Sequence, residues 1–274
     1  MTDAAEYKTA LAVARAAARA AADVHQSHLG QVGADAWSVK GIADFVTFVD
    51  REAEAEIVRH IRSTFPNHDI LAEESADSDG SADRGELGEW TWIADPLDGT
   101  TNFLHQFPMY CSSVALLHRG VPVAAAVVSG GTHEEWTASL HGGAERNGQP
   151  IRVSETVQLG RALIGTGFPF KMPHMLPGYL RQFEHIIKQV SDLRRGGSAA
   201  LDLCFVATGR LDGFWELDLR PWDYAAGVLM IREAGGCIRG LDGEPSWAAE
   251  GGGIIAGNPF VHDQLIRMLS EVTA

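Results

Sequence analysis

Trp92-Ile93-Ala94-Asp95-Pro96-Leu97-Asp98-Gly99-Thr100-Thr101-Asn102-Phe103 reads as a strand that ends on an acid. Pro96 has no N–H to donate and stops the ladder. A second acid follows three residues after the first, Gly99 relaxes the backbone, and Thr100-Thr101-Asn102 supplies caps for a following helix. Two carboxylates at one strand end can share a hard cation, and N–H groups at a helix start can receive an anion. Phosphate with Mg²⁺ is the natural ligand pair for such a corner. The competing reading is a plain strand-to-helix turn in which Asp95 and Asp98 only cap, since Asp, Pro and Gly are common turn residues. Further acids weigh against it. Glu73-Glu74 follows the short apolar pair Ile70-Leu71, and Asp223 lies in the first turn of a helix opening at Pro221. Each alone would pass for a solvated acid or a partner of a helix dipole.

Upstream, the Ala-rich residues 4–29 suit a long helix ending near Gly30. A polar stretch, 30–43, leads to Asp44-Phe45-Val46-Thr47-Phe48-Val49-Asp50. A second helix is expected over 51–64, with Ala53, Ile57 and Ile61 on one face. Residues 75–89 are polar and carry three glycines, which predicts a loop. Downstream, 110–117 and 121–129 predict a hairpin, and 134–140 another strand. The first half therefore reads as helices followed by an antiparallel meander. From 151 on, short strands (162–165, 214–217, 253–256) alternate with helices (179–190, 199–208, 221–234 and one opening at Asn258-Pro259), which predicts a layered α/β half. The expected division is an α+β subdomain over 1–150 and an α/β subdomain over 151–274.

The chain has 274 residues, 45 % hydrophobic and 21 % charged, an ordinary globular composition. Its 22 basic and 36 acidic residues leave a formal net charge of −14, which disfavours a broad footprint on nucleic acid or anionic lipid. The longest apolar run, 121–128, is far short of a bilayer span. Asp3 and Glu6 stand where an export signal would be basic. Three scattered cysteines, Cys111, Cys204 and Cys237, suit reduced thiols. A cytoplasmic protein with no nucleic-acid or membrane partner is expected.

Four motifs together resemble the inositol monophosphatase family of Mg²⁺-dependent, lithium-sensitive sugar phosphatases. They are residues 44–50; Ala72-Glu73-Glu74-Ser75; the segment 95–103; and Trp222-Asp223-Tyr224-Ala225-Ala226-Gly227, followed by Glu233-Ala234-Gly235-Gly236. The resemblance spans nearly the whole chain. It implies an α-β-α-β-α sandwich, with Glu73, Asp95 and the carbonyl of Leu97 holding one metal and Asp95, Asp98 and Asp223 a second. Glu73 would help retain a third ion through water. Oxygen-only ligands suit two or three Mg²⁺ ions, with Mn²⁺ as an alternative.

The same resemblance implies that Thr100, oriented by Asp50, positions the attacking water, and that the N–H groups of Gly99 and Thr100 bind phosphate. Glu216 and the segment Gly197-Ser198-Ala199 would line the leaving-group pocket, although a strand Glu is more often solvent-facing. Arg194 and Arg195 are read as partners of surface acids. Cys204 is read as core. Thr101-Asn102-Phe103 resembles the branch acting on inositol phosphates, so inositol-1-phosphate or a similar polyol monophosphate is the expected substrate. Histidinol phosphate, then fructose-1,6-bisphosphate, are the alternatives. Family members are commonly homodimers, and some bacterial relatives serve as factors associating with RNA polymerase, so a binding role for a protein partner is the competing function. Two departures stand out: Ala72 replaces the family's Gly, and Ser38–Ala43 lacks its usual Lys-Ser-Ser/Pro run.

Overall fold

A computed structural model describes residues 3–32, 37–41, 44–79, 87–247 and 251–273. Helix α1 (Asp3–His28) is followed by a small antiparallel pair, β1 (Trp37–Gly41) and β2 (Asp44–Thr47), and by α2 (Phe48–Thr64). A seven-stranded sheet then runs in the order β3 (Asp69–Ala72), β4 (Trp90–Asp98), β5 (Cys111–His118), β6 (Val121–Val128), β7 (Glu135–Ser139), β8 (Gly143–Arg146) and β9 (Gln149–Pro150). All its pairs are antiparallel except β3–β4. Two short helices, α3 (Glu73–Asp79) and α4 (Thr100–Leu104), flank β4 in sequence.

The second sheet contains β10 (Leu163–Thr166), β11 (Asp192–Arg194), β12 (Gly213–Leu219), β13 (Cys237–Gly240) and β14 (Gly252–Gly257), in the order β11-β10-β12-β14-β13. Its helices are α5 (Leu176–Ile187), α6 (Ala199–Ala207), α7 (Pro221–Glu233) and α8 (Pro259–Thr273). Helices α1 and α2 cover one face of the large sheet, α6 and α7 lie between the sheets, and α5 and α8 cover the outer face of the small one. This is the expected α-β-α-β-α layering.

The core explains the layering. Strands β5 and β6 are buried almost throughout because helices cover both faces, so Ala124, Ala125, Val114 and Ala115 all lose water. On the outer side, Ala10, Ala14, Ala17 and Ala21 of α1 share a buried cluster with Leu116, Ala124 and Ala126. Their small side chains let helix and sheet approach closely. The middle layer is the largest cluster, with Trp136, Leu203, Phe214, Tyr224 and Leu229 in it.

Three expectations need correction, and each touches the site. First, Pro96 does not end its strand: β4 continues to Asp98, with its register against β5 shifting between Asp95 and Asp98. A bulge accommodates the missing donor and bends the strand end. Second, 75–79 of the expected loop 75–89 belong to α3, while 80–86 lie outside the described residues. Third, α2 starts at Phe48, three residues early, because Thr47 is its N-cap. The Ala72 departure is harmless: the residue ends β3 opposite Ala94 and is absent from the positive-φ positions, so no glycine is required. Of the 38–43 segment, Ile42, Ala43 and every side chain from Ser38 to Lys40 lie outside what is described.

Candidate active site

The bulged end of β4, the start of α3 and the first turn of α7 converge on one cavity of about 430 Å³. Glu73, Asp95, Leu97, Asp98, Gly99, Thr100, Gly197, Ala199, Glu216 and Asp223 all line it. Carboxylate oxygens of Asp95, Asp98 and Asp223 lie within 4.8 Å of one another. Glu73 stands outside that triplet but close enough for its charge to raise the Asp95 pKa.

Each acid is held by its own local chemistry. Asp95 is buried, and its Oδ1 accepts the Leu97 N–H at 2.9 Å across the bulge. Asp98 Oδ2 accepts the Ser198 hydroxyl at 2.6 Å and the Ala200 N–H at 2.8 Å, which ties the large sheet to the start of α6. Ser198 is also the N-cap of α6. Asp223 Oδ2 accepts the Arg220 N–H at 2.7 Å, folding back over the first turn of α7.

Crowding sets the electrostatics. Burial, then Glu73, Asp98 and Asp223, push Asp95 well above the carboxylate range. Burial also raises Asp98, against the pull of its Ser198 and Ala200 hydrogen bonds. Burial and neighbouring Asp98 push Asp223 up to about 7. Carboxylates so arranged resist simultaneous ionisation, and a divalent cation among them would remove that cost. The donors are hard oxygens, with no His or Cys in the triplet. The residues therefore fit a hard divalent cation.

Asp50 stands behind Thr100. In the first turn of α2, Asp50 Oδ2 accepts the Thr47 N–H at 2.8 Å and the Thr47 hydroxyl at 2.6 Å. That capping box leaves Oδ1 for the Thr100 hydroxyl at 3.1 Å. The same hydroxyl lies 3.1 Å from the Leu97 carbonyl. Gly99 makes the turn between Asp98 and Thr100 with φ +89°; a Cβ there would come 2.7 Å from the Met109 carbonyl, so only glycine fits. No side chain caps α4, contrary to the role expected of Thr100-Thr101-Asn102. Asn102 instead donates to the carbonyls of Met109, Gly196 and Gly197 at 2.6, 3.0 and 3.2 Å, bridging the two halves of the chain beneath the cavity.

The far wall carries Glu216, Arg195, Phe168 and Phe170. Glu216 is not a solvent-facing strand residue: burial, Asp202 and Asp223 raise its pKa well above the usual value, with Arg195 opposing. Gly167 makes room for it, since a Cβ there would collide with the Glu216 carboxylate. The two arginines separate. Arg194 pairs with Asp192 at 2.6 Å on the surface, as expected. Arg195 does not; its guanidinium lies 5.6 Å from the Phe168 ring centre and 5.2 Å from that of Phe170.

Two supporting residues escape the sequence reading. Glu54 Oε2 accepts the Glu74 N–H at 2.9 Å, fixing the turn that presents Glu73. Its signal was available: Asp50 and Glu54 sit four residues apart on the face of α2 that also buries Ile57 and Ile61. His25 of α1 is wholly buried, with Nε2 2.8 Å from the Pro96 carbonyl inside the bulge.

The model of the inositol monophosphatase family matches residues 6–274. The chain belongs to the inositol monophosphatase family. It is 41 % identical over 250 residues to a Nus factor SuhB from Pseudomonas aeruginosa, covering 90 % of this chain and 91 % of that one. An inositol monophosphatase structure from Anabaena superposes with TM-score 0.82 at 39 % identity, covering 96 % of each chain. The Bartonella henselae extragenic suppressor protein suhB gives 0.83 at 38 % identity, covering 93 % of this chain and 96 % of that one. No helix among the described residues is long and apolar enough to cross a membrane.

Proposed function

We propose that the protein is a Mg²⁺-dependent phosphomonoesterase acting on inositol-1-phosphate or a similar polyol monophosphate. The observation that carries the reading is the gathering of Asp95, Asp98 and Asp223 beside the Thr100–Asp50 pair at one end of a cavity. Glu73, Asp95 and the Leu97 carbonyl would hold one cation, and Asp95, Asp98 and Asp223 another. Bound there, such ions act as Lewis acids that make water more acidic and neutralise charge on phosphate and leaving group.

The chain's own groups do the rest. Thr100 has Asp50 Oδ1 and the Leu97 carbonyl as acceptors for its hydroxyl proton, each at 3.1 Å, and with the proton on Asp50 its oxygen lone pairs accept a hydrogen from the attacking water. Asp50, raised by burial, is suited to take a proton from Thr100 in turn. The N–H groups of Gly99 and Thr100, free of a side-chain cap, orient the phosphate oxygens. Glu216, with Gly197 and Ala199 at the start of α6, frames the departing alcohol, while Ser198 is buried and holds Asp98 instead of lining the cavity. A homodimer is part of the same reading, and the molecular mass from solution scattering tests it.

Phosphate release, with Mg²⁺ and with EDTA, from inositol-1-phosphate, histidinol phosphate, fructose-1,6-bisphosphate and 3′-phosphoadenosine 5′-phosphate is the deciding assay. A Mg²⁺-dependent preference for the inositol ester supports the reading; no release from any of them overturns it. The name Nus factor carried by relatives such as that of P. aeruginosa favours a second reading, a factor that binds a protein partner. Partner binding that survives Asp95→Asn would place that role apart from hydrolysis.

A further inference from the structure

Asp218 occupies a position that the backbone would rather give to glycine. Its φ is +58°, in the left-handed region, within β12 where the register against β14 shifts between Glu216 and Leu219. Asp is among the residues that tolerate this conformation, but glycine adopts it without steric cost. Nothing in the fold recovers that cost: Asp218 makes no hydrogen bond or ion pair among the described residues. It is also not a surface ornament. Leu217 and Leu219 are buried while Glu216 and Asp218 remain partly open, and all four line the cavity that holds the clustered acids. A strained residue at a cavity wall, with no structural partner, points toward a ligand.

We propose that Asp218 is a specificity-determining residue that acts with Glu216 to recognise adjacent hydroxyl groups on the departing alcohol. This rests on the phosphatase reading above and adds to it a residue that selects the polyol. Both carboxyl groups line the one cavity, so its wall offers acceptors at two places to the hydroxyl donors of a ligand held there. Lys171, Arg195 and Arg220 line the same cavity and balance the acids there, so the wall does not demand a cationic substrate. A leaving group with no hydroxyl besides the one released from phosphate would leave Asp218 unanswered and gain nothing from it. A carboxylate-to-hydroxyl hydrogen bond is a charge-assisted one, and its loss is worth about tenfold in the specificity constant.

The test compares wild type with Asp218→Gly and Asp218→Asn, measuring kcat/KM for inositol-1-phosphate and for p-nitrophenyl phosphate, together with Tm. Glycine relieves the backbone and asparagine keeps it while removing the charge, so Tm should not fall in the first. The expected result is a drop of about tenfold in the ratio of inositol-1-phosphate to p-nitrophenyl phosphate turnover in both variants, carried mainly by KM. A ratio within about twofold of wild type in both would overturn the proposal while leaving the phosphatase reading intact. A wild-type protein that releases phosphate from neither ester would overturn the phosphatase reading and this proposal with it.

Discussion

The Thr100 hydroxyl lies 3.1 Å from Asp50 Oδ1, joining two residues fifty positions apart, one at the start of α4 and the other in the first turn of α2. The contact exists because Asp50 spends only one of its oxygens on capping its own helix. If Thr100 relays a proton to Asp50, Thr100→Ala and Asp50→Asn should each lower kcat by about 10²–10⁴-fold. Far-UV circular dichroism should stay unchanged for Thr100→Ala. Losses smaller than about tenfold in both would remove the relay.

Asp98→Asn should abolish most turnover and leave the protein folded, because the clustered acids repel one another without a cation. The same substitution should blunt ligand-linked stabilisation. For wild type, Mg²⁺ at about 100 times its Kd should add about 2.7 kcal/mol of stability. Thermal melts with and without Mg²⁺ read both effects, and wild-type turnover in Asp98→Asn would refute the metal assignment.

Two groups contribute to the pH dependence of the metal-free protein with opposite sign, beside the other buried carboxyls that burial raises. Asp223 is raised to about 7, so the folded state holds its proton over a range where the unfolded state has lost it. Its contribution therefore favours folding as pH falls from about 7.5 to about 5, by about 2 kcal/mol. His25 is lowered to about 4 by burial, so the unfolded state takes up a proton first. It opposes folding over the same interval, also by about 2 kcal/mol. Asp223→Asn should remove the first contribution, making acidification more destabilising than in wild type. Urea midpoints at the two pH values, in EDTA, measure it; an unchanged pH response in the variant would disprove the assignment.

Much of this was legible in the sequence because acids at strand-to-helix corners carry a local signature. Asp95, Asp98 and Asp223 each sit where a strand or helix changes direction, and the structure brings them together as that pattern suggests. Local patterns failed where tertiary contacts overrule them. Pro96 looks like a strand terminator, yet a bulge lets β4 continue and turns Asp98 toward Ser198. The polar run that opens at Ser75 looks like loop, but its first residues continue α3, whose first turn Glu54 from another helix anchors. Arg194 carries a local signal, Asp192 two residues earlier on the same strand, whereas the two phenyl rings beside Arg195 come from a segment more than twenty residues away.

Those rings supply the last prediction. Phe168 and Phe170 belong to the segment after β10, and Arg195 precedes the Gly196-Gly197 turn that Asn102 holds from the other half of the chain. The guanidinium thus fastens the aromatic side of the cavity to its floor. Lysine keeps the charge but loses the flat face that lies over two rings at once. Arg195→Lys should therefore cost about 1–2 kcal/mol of stability and loosen the wall around Glu216. The kinetic consequence should fall on KM for a polyol phosphate more than on kcat, since the clustered acids and Thr100 are left in place. Equal KM values for Arg195→Lys and wild type, at reduced Tm, would confine Arg195 to packing.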